Sequence, residues 1–251
     1  MSDHISLAIA DGVARITIDN PEKRNALGLS DLTAMSDALE RAADARVLIL
    51  TGAGDRAFSA GVDLSDVAGD AANWTENPLT ALANKLQTFP RPTIARLNGP
   101  VIGGSAELSF ACDFRIGVDS LKLMVPAVRL GLHYEAEGLA RAAAVIGWQA
   151  AKRIYLLGET LHAPALDALG YLDCMTTREG LDEAVEDMAS GVLASAPLAV
   201  DGMKLTMAEM IRNEADEAVI KARIARTWAS EDLAEGLSAA AARRKAVFRG
   251  R

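Results

Sequence analysis

The sequence predicts an α/β protein in which strands alternate with helices at first and helices alone follow. In the first 137 or so residues, short apolar runs bounded by Gly, Pro and Asp are separated by segments with helical periodicity. From about residue 138 onward the pattern is mostly helical. Half of the 251 residues are hydrophobic and 24% are charged, which is typical of a chain that buries a packed core. Together these observations favour an α/β core followed by a helical C-terminal module.

The N-terminal elements are a predicted hairpin and a predicted helix. Residues 5–9 and 13–19 have the pattern of paired strands around Asp11-Gly12, a dipeptide typical of tight turns. Ser30 predicts the start of the helix. Apolar residues at helical spacing support it, namely Leu32, Met35 and Leu39.

The later strands are predicted from four short apolar runs: Val47–Leu50, Thr93–Leu97, Phe114–Val118 and Leu121–Met124. A helix is predicted over residues 103–112, between the second and third of these runs. Gly158 and Gly170 each follow a leucine and predict helix ends, because glycine adopts the left-handed backbone that closes a helix.

The segment Gly103-Gly104-Ser105-Ala106-Glu107 precedes an apolar run and is the strongest indication of chemistry. Paired glycines let a backbone come close to a ligand, and the first N–H groups of a helix have no intrahelical partner. Such a helix start can hold a developing oxyanion. Glu107 would lie one turn further on, where a carboxylate can move a proton. The structural alternative is a turn whose glutamate only complements the helix dipole.

Composition excludes several classes of function. The net charge of −8 and a pI near 5.0 argue against nucleic-acid binding. No apolar stretch of 18 residues and no signal pattern occur, so we expect a soluble cytoplasmic protein without a membrane span. Cys112 and Cys174 are too few for a disulfide framework and are interpreted as packing thiols. Metal-ligand spacing, a phosphate-binding P-loop and a dinucleotide fingerprint are all absent from the sequence.

Four short motifs follow one another along the chain. The first spans Ile18–Leu27 (IDNPEKRNAL), and the second spans Phe58–Leu64 (FSAGVDL). The third is Asn98–Gly104 (NGPVIGG), and the fourth combines Glu235-Gly236 with Arg243–Phe248 (RRKAVF). In their order and spacing, these motifs resemble the crotonase superfamily, also called the enoyl-CoA hydratase/isomerase family. The resemblance covers nearly the whole chain.

This resemblance implies a fold, a substrate class and an assembly. It implies a crotonase-like ββα spiral core over residues 1–195 and a helical trimerisation region over residues 196–251. The implied substrate is an acyl-CoA thioester, so coenzyme A is part of the substrate and no separate cofactor is expected. The implied assembly is a homotrimer or a dimer of trimers. By similarity, the backbone N–H groups of Val62 and Gly104 form an oxyanion hole for the thioester oxygen.

The catalytic groups of the family are only partly present. Glu107 matches one of the two catalytic glutamates of enoyl-CoA hydratases, but Ala127 stands where the resemblance places the second. Glu135 falls where dienoyl-CoA isomerases carry an acidic residue, and Tyr134 where methylmalonyl-CoA decarboxylase carries a tyrosine. The alternatives are an ordinary acidic first helical turn for Glu135 and Glu137, and a packed pocket wall for Tyr134. The neighbouring residue, His133, is interpreted as a loop histidine without a catalytic role.

Smaller signals predict the coenzyme A site. By similarity, the residues that would contact coenzyme A are Lys23, Arg24, Ala60, Asp63, Leu64, Lys245 and Phe248. The last two would serve a neighbouring subunit. For each basic residue taken alone, a solvated surface charge is the more natural interpretation.

The sequence therefore predicts double-bond isomerisation or hydration of an enoyl-CoA through an enolate. Decarboxylation of a malonyl-type CoA and acyl-CoA binding without turnover remain alternatives. The walls of an acyl-tail pocket could come from Trp74, Leu82, Leu86 and Phe89, although packing in the core explains these residues as well.

Overall fold

The computed structural model of the protein describes residues 2–63 and 77–251. Within these ranges the strands are β1 (Ile5–Ala10), β2 (Val13–Ile18), β3 (Val47–Gly52), β4 (Thr93–Leu97), β5 (Val101–Ile102), β6 (Phe114–Val118), β7 (Lys122–Met124), β8 (Leu161–His162) and β9 (Cys174–Thr176). The helices are α1 (Leu29–Arg41), α2 (Pro78–Gln87), α3 (Gly104–Ala111), α4 (Ala127–Leu130), α5 (Ala136–Leu157), α6 (Ala163–Ala168), α7 (Leu181–Leu193), α8 (Pro197–Arg212), α9 (Glu217–Trp228) and α10 (Glu231–Ala241). A single-turn 3-10 helix spans Pro21–Lys23.

The main sheet has the strand order β1-β2-β3-β4-β6-β9. β1 pairs antiparallel with β2, and all other neighbours are parallel. All six residues of β3 are buried, as its continuous apolar pattern predicts for a central parallel strand. The predicted N-terminal hairpin is confirmed. Its turn residues Asp11 and Gly12 both have positive φ, which matches the twist of the flanking strands.

A smaller sheet, β5-β7-β8, lies beside the main one. β5 pairs with β7 in parallel and ends just before Gly103, so it delivers the chain to the start of α3. The predicted helix is present but begins at Gly104, one residue after the predicted start, and all eight of its residues are buried. The glycine-rich segment is therefore a strand-to-helix turn inside the protein.

The hydrophobic core lies between the main sheet and the helices that cover it. α2 packs against both α1 and α3. Leu82, Leu86 and Phe89 are buried in this core and do not line the cavity described below, so the interpretation as an acyl-tail wall is wrong for these three. The fourth residue of that set, Trp74, lies outside the described residues.

The helix ends follow their local chemistry. α1 begins at Leu29, one residue before the predicted start, because the Asp31 carboxylate accepts a hydrogen bond from the Gly28 N–H at 2.7 Å and makes Gly28 the cap. Gly158 ends α5 with a φ of 60°, as predicted. Gly147, with a φ of 74°, interrupts the same helix and divides it into two segments.

The C-terminal region is helical, as predicted. α8 packs against α5, and α9 packs against α8. After α10 the chain turns back. The Asp232 carboxylate accepts hydrogen bonds from the backbone N–H groups of Arg249 at 2.6 Å and Gly250 at 2.8 Å. The predicted boundary after residue 195 falls between α7 and α8 and stays a prediction. Across the described ranges, every helix is too short or too polar to cross a membrane.

Candidate active site

A cavity of about 590 Å³ lies where the loop after β3, the start of α3, the face of α2 and the loop before α5 come together. The five residues that the sequence marks for chemistry all line it: Val62, Gly104, Glu107, Tyr134 and Glu135. Three different segments of the chain contribute these residues. The fold therefore brings the predicted oxyanion donors and the predicted acid–base groups to one cavity.

Two backbone turns meet at the floor of this cavity. Gly61 has a φ of 86°, and a Cβ atom there would lie 2.5 Å from the Ile102 carbonyl oxygen and 2.9 Å from the Gly104 nitrogen. A Cβ atom on Gly104 would lie 3.6 Å from the Val62 nitrogen. The N–H groups of Val62 and Gly104 are therefore neighbours. Neither donates a hydrogen bond to any of the described residues, so both can serve a ligand.

Two serine hydroxyls fix these turns, and the sequence analysis missed them. The Ser59 hydroxyl donates to the Asn25 carbonyl at 2.6 Å and accepts the Gly61 N–H at 3.0 Å. The Ser105 hydroxyl donates to the Ser59 carbonyl at 2.9 Å. Both serines are fully buried. Because both serines lie inside the FSAG and GGSAE segments, their position in the sequence could have indicated a role in these turns.

The Glu107 carboxyl group is almost completely buried, with 2% of the residue exposed. The Arg141 guanidinium, equally buried, donates from Nη1 to Glu107 Oε1 at 3.1 Å. Oε2 accepts no hydrogen bond from the described residues. A Cβ atom on Gly138 would lie 3.1 Å from Glu107 Cδ, so the glycine leaves room for the carboxyl group.

Burial raises the pKa of Glu107 above its ordinary value, because the ionised form loses its hydration. The positive charge and hydrogen bond of Arg141 oppose this rise, and the negative charge of Glu135 adds to it. The Thr80 hydroxyl faces the same carboxyl group and favours ionisation, although its oxygen completes no hydrogen bond with the described part of the chain. A carboxyl group with a raised pKa is suited to exchange protons near neutral pH.

Arg141 is the main functional residue that the sequence analysis missed. Its Nη2 donates to Asn84 Oδ1 at 2.6 Å, and its Nε donates to Gln87 Oε1 at 3.2 Å. Thr80, Asn84 and Gln87 recur at helical spacing on α2, so that one face of this helix presents polar groups to Glu107 and Arg141. The helical spacing of these three polar residues could have indicated a polar helix face in the sequence. The sequence did not show that this face meets the Glu107–Arg141 pair.

The opposite wall holds the candidate replacements for the missing glutamate. Ala127 is buried at the start of α4 and lines the cavity with a methyl group. Tyr134 packs edge-to-face on Tyr155 with ring centroids 5.1 Å apart, and burial raises the pKa of Tyr134, so its phenol stays protonated at neutral pH. Glu135 is the exposed residue that precedes α5 and makes no side-chain cap there. Next to them, His133 lines the cavity and is exposed.

The predicted coenzyme A contacts divide into two groups. Ala60 lines the cavity, and its N–H donates to the Arg24 carbonyl at 2.9 Å. Lys23 Nζ lies 3.8 Å from an Asp63 carboxylate oxygen, which places the two segments side by side, but neither of these residues nor Arg24 lines the cavity. Lys245 is exposed near the C-terminus, and in the same segment the ring of Phe248 packs on α10; neither residue lines the cavity. Leu64 lies outside the described residues.

No group of three or more metal-ligating side chains occurs among residues 2–63 and 77–251. Cys112 is buried, and burial raises the pKa of its thiol to about 12, as expected for a packing residue. Cys174 is half-buried on the edge strand β9. Among the described residues, the polar side chains that line the cavity carry carboxyl, hydroxyl, amide and imidazole groups.

Comparison with known proteins agrees with this geometry. The enoyl-CoA hydratase/isomerase family model matches residues 8–251. The chain is 29% identical to the crotonyl-CoA hydratase of Syntrophomonas wolfei over 98% of both chains. It is 30% identical to an enoyl-CoA isomerase/hydratase of Mycosarcoma maydis over 98% of this chain and 96% of that one.

Solved structures give the same result for the fold. The crystal structure of an enoyl-CoA hydratase from Bacillus anthracis superposes with a TM-score of 0.91 at 28% identity, over 99% of this chain and all of that one. An enoyl-CoA hydratase/carnithine racemase from Magnetospirillum magneticum superposes with a TM-score of 0.90 at 29% identity, over the whole of this chain and 97% of that one. With a family model that matches almost from end to end and a fold shared with these structures, the chain belongs to the enoyl-CoA hydratase/isomerase family, the crotonase superfamily.

Proposed function

We propose that this protein is an acyl-CoA enzyme that moves the double bond of an enoyl-CoA, with Glu107 as the principal acid–base group. The observation that carries the proposal is the shared cavity. In it, two unpaired N–H groups, a buried carboxyl group with a raised pKa and a second carboxylate, Glu135, all face one space. Relatives named as enoyl-CoA hydratases and isomerases support the substrate class.

The proposed step on a 3-enoyl-CoA transfers a proton between two carbons. Glu107 removes a proton from C2, and the electron pair of that C–H bond delocalises onto the thioester oxygen held by the N–H groups of Val62 and Gly104. The dienolate then takes up a proton at C4, and the double bond ends between C2 and C3. Glu135, which is exposed, is the proposed donor of that second proton and takes this proton up from solvent. Glu107 releases the proton from C2 to solvent afterwards, so both carboxylates return to their starting state and no other reactant is consumed or released.

The residue at position 127 argues for isomerisation over rapid hydration. Hydration needs two groups on one water molecule, and Ala127 offers only a methyl group to the cavity. A proton shift needs two groups at different carbons, which suits Glu107 and Glu135 better. Ala127→Glu should therefore raise hydration of crotonyl-CoA if the longer side chain fits beside Glu107.

The two reactions change the absorbance of the thioester in opposite directions. Isomerisation of 3-hexenoyl-CoA creates a conjugated thioester, whereas hydration of crotonyl-CoA destroys one. We expect wild type to isomerise the first faster than it hydrates the second, and Glu135→Ala to lose isomerisation while it still binds butyryl-CoA. Rapid hydration by wild type, or isomerisation by Glu135→Ala at the wild-type rate, would contradict the proposal.

Decarboxylation of a malonyl-type CoA is the second candidate, because the protonated phenol of Tyr134 lines the same cavity and can donate a hydrogen bond to a substrate carboxylate. Release of carbon dioxide from malonyl-CoA or methylmalonyl-CoA, lost in Tyr134→Phe, would favour it. Binding of acyl-CoA esters without turnover of any of these substrates would instead identify a binding protein.

A further inference from the structure

The polar cluster behind the cavity contains a buried cation that the proposed chemistry does not use. Arg141 lies on α5 with 2% of the residue exposed, and it donates to groups on two other helices. The contacts are to Glu107 at 3.1 Å, to Asn84 at 2.6 Å and to Gln87 at 3.2 Å. Nε, Nη1 and Nη2 of the guanidinium each donate to a different side chain. Such a fork fixes both the position and the rotation of the group.

We propose that Arg141 is a positioning residue that binds Oε1 of Glu107 and thereby makes Oε2 the oxygen that exchanges protons with the substrate. This inference rests on the proposed function of Glu107 as the acid–base group. Oε1 is occupied by the guanidinium, whereas Oε2 accepts no hydrogen bond from the described residues. Because Asn84 and Gln87 hold the guanidinium in turn, the reactive oxygen is fixed from α2 as well as from α5.

The charge of Arg141 has a second consequence, which is the protonation of its partner. Burial and the negative charge of Glu135 raise the pKa of Glu107, and Arg141 is the charged group that lowers it. The phenols of Tyr134 and Tyr155 also lie close to this carboxyl group and are uncharged at neutral pH. Without the guanidinium, a buried carboxyl group retains its proton to higher pH, so it acts as a base only at a pH higher than in wild type.

The test compares Arg141→Met, which removes the positive charge, with Arg141→Lys. The lysine keeps a positive charge but cannot donate to three side chains from the fixed, planar arrangement of a guanidinium. For Arg141→Met we expect the acid limb of kcat/KM for 3-hexenoyl-CoA to move upward by at least about one pH unit, a tenfold loss at low pH, with little change in the affinity for butyryl-CoA. For Arg141→Lys we expect the limb to stay near that of wild type while kcat falls about tenfold, because the oxygen is no longer held in place.

Arg115→Met is the matched control, since Arg115 is also a buried arginine. Its guanidinium bonds the backbone carbonyls of Tyr171 and Cys112 at 2.6 and 2.7 Å, and it does not line the cavity. This control should lower the unfolding temperature without shifting the acid limb. An acid limb that moves equally in both Met variants would mean that loss of packing explains the shift, and the proposal would fall.

A measurement without substrate separates this inference from the proposed reaction. Difference infrared spectroscopy follows the carbonyl band of a protonated carboxyl group, and the band absent from Glu107→Gln belongs to Glu107. Its titration should move to higher pH in Arg141→Met even if wild type turns over none of the enoyl-CoA esters. An unchanged titration in Arg141→Met overturns the inference, whatever the substrate proves to be.

Discussion

Glu107 is the residue on which the proposed chemistry depends most directly. Glu107→Gln keeps the size of the side chain and an oxygen for Arg141, but it cannot accept a proton from carbon. We expect kcat to fall at least ~10²-fold while the Kd for butyryl-CoA stays nearly unchanged. Steady-state kinetics and calorimetry test this. A variant with wild-type turnover would show that the carboxyl group is structural.

Gly61 is the residue that allows the two turns of the proposed oxyanion hole to meet. Gly61→Ala should reduce kcat strongly, because its Cβ atom would overlap the Ile102 carbonyl oxygen and the Gly104 nitrogen. Gly54→Ala is a matched control. Gly54 also has a positive φ, 70°, but the nearest atom to a Cβ there is 3.5 Å away. Both variants should lose about 1–2 kcal/mol of stability from the left-handed backbone. Gly61→Ala should lose further stability from the backbone overlap, and it alone should lose turnover.

At the scale of elements, the contact between α5 and α3 limits what the N-terminal turn of α5 tolerates. Gly138→Ala would place a methyl group 3.1 Å from the carboxyl carbon and Oε1 of Glu107, so the carboxyl group must shift. We expect kcat to fall about tenfold, since a small displacement of a catalytic group is costly. The fold itself should remain intact, because alanine is the better helix former.

Gly191→Ala on α7 is the control for that substitution. No atom of residues 2–63 and 77–251 lies within 4 Å of a Cβ atom at this position, so the gain in helix propensity should appear alone. Thermal unfolding should shift upward while the kinetics stay those of wild type. If Gly138→Ala also kept wild-type kinetics, the close contact with Glu107 would have no functional meaning.

The sequence predicts elements well where one local pattern determines them. β3 follows from a continuous apolar run, and the start of α3 follows from paired glycines. The Glu107–Arg141 pair could not be predicted in the same way, because it joins two helices that are distant in the sequence. A single arginine in a helical pattern usually lies at the surface. Leu82 and Leu86 show the same limit, since only the packing of α2 shows that they face the core.

At the scale of the whole molecule, the C-terminal helices expose more apolar surface than a monomer needs. Met203, Met207 and Met210 recur at helical spacing on α8, and each is more than half exposed. Trp228 on α9 and Leu237 on α10 are exposed to a similar degree. We propose that these faces meet in a homotrimer or a dimer of trimers.

Light scattering after size exclusion should therefore give three or six times 26.4 kDa at micromolar concentration. Met207→Glu should favour smaller species, since a charge would be buried at the contact. Such an assembly is also what Lys245 and Phe248 need in order to contact coenzyme A in a neighbouring subunit. A monomer would contradict both the assembly and this role.

The hydrogen bonds of Ser59 and Ser105 determine when the two backbone turns of the proposed oxyanion hole lose their conformational freedom. The two turns are ordered as the chain folds, so a thioester that arrives later restricts little more than its own motion. Ser105→Ala removes the hydrogen bonds of the Ser105 hydroxyl to the Ser59 carbonyl and from the Ile102 N–H, and it leaves part of that ordering to the binding step. Calorimetry with butyryl-CoA should then show a less favourable binding entropy for Ser105→Ala, although the ligand meets the same two N–H groups.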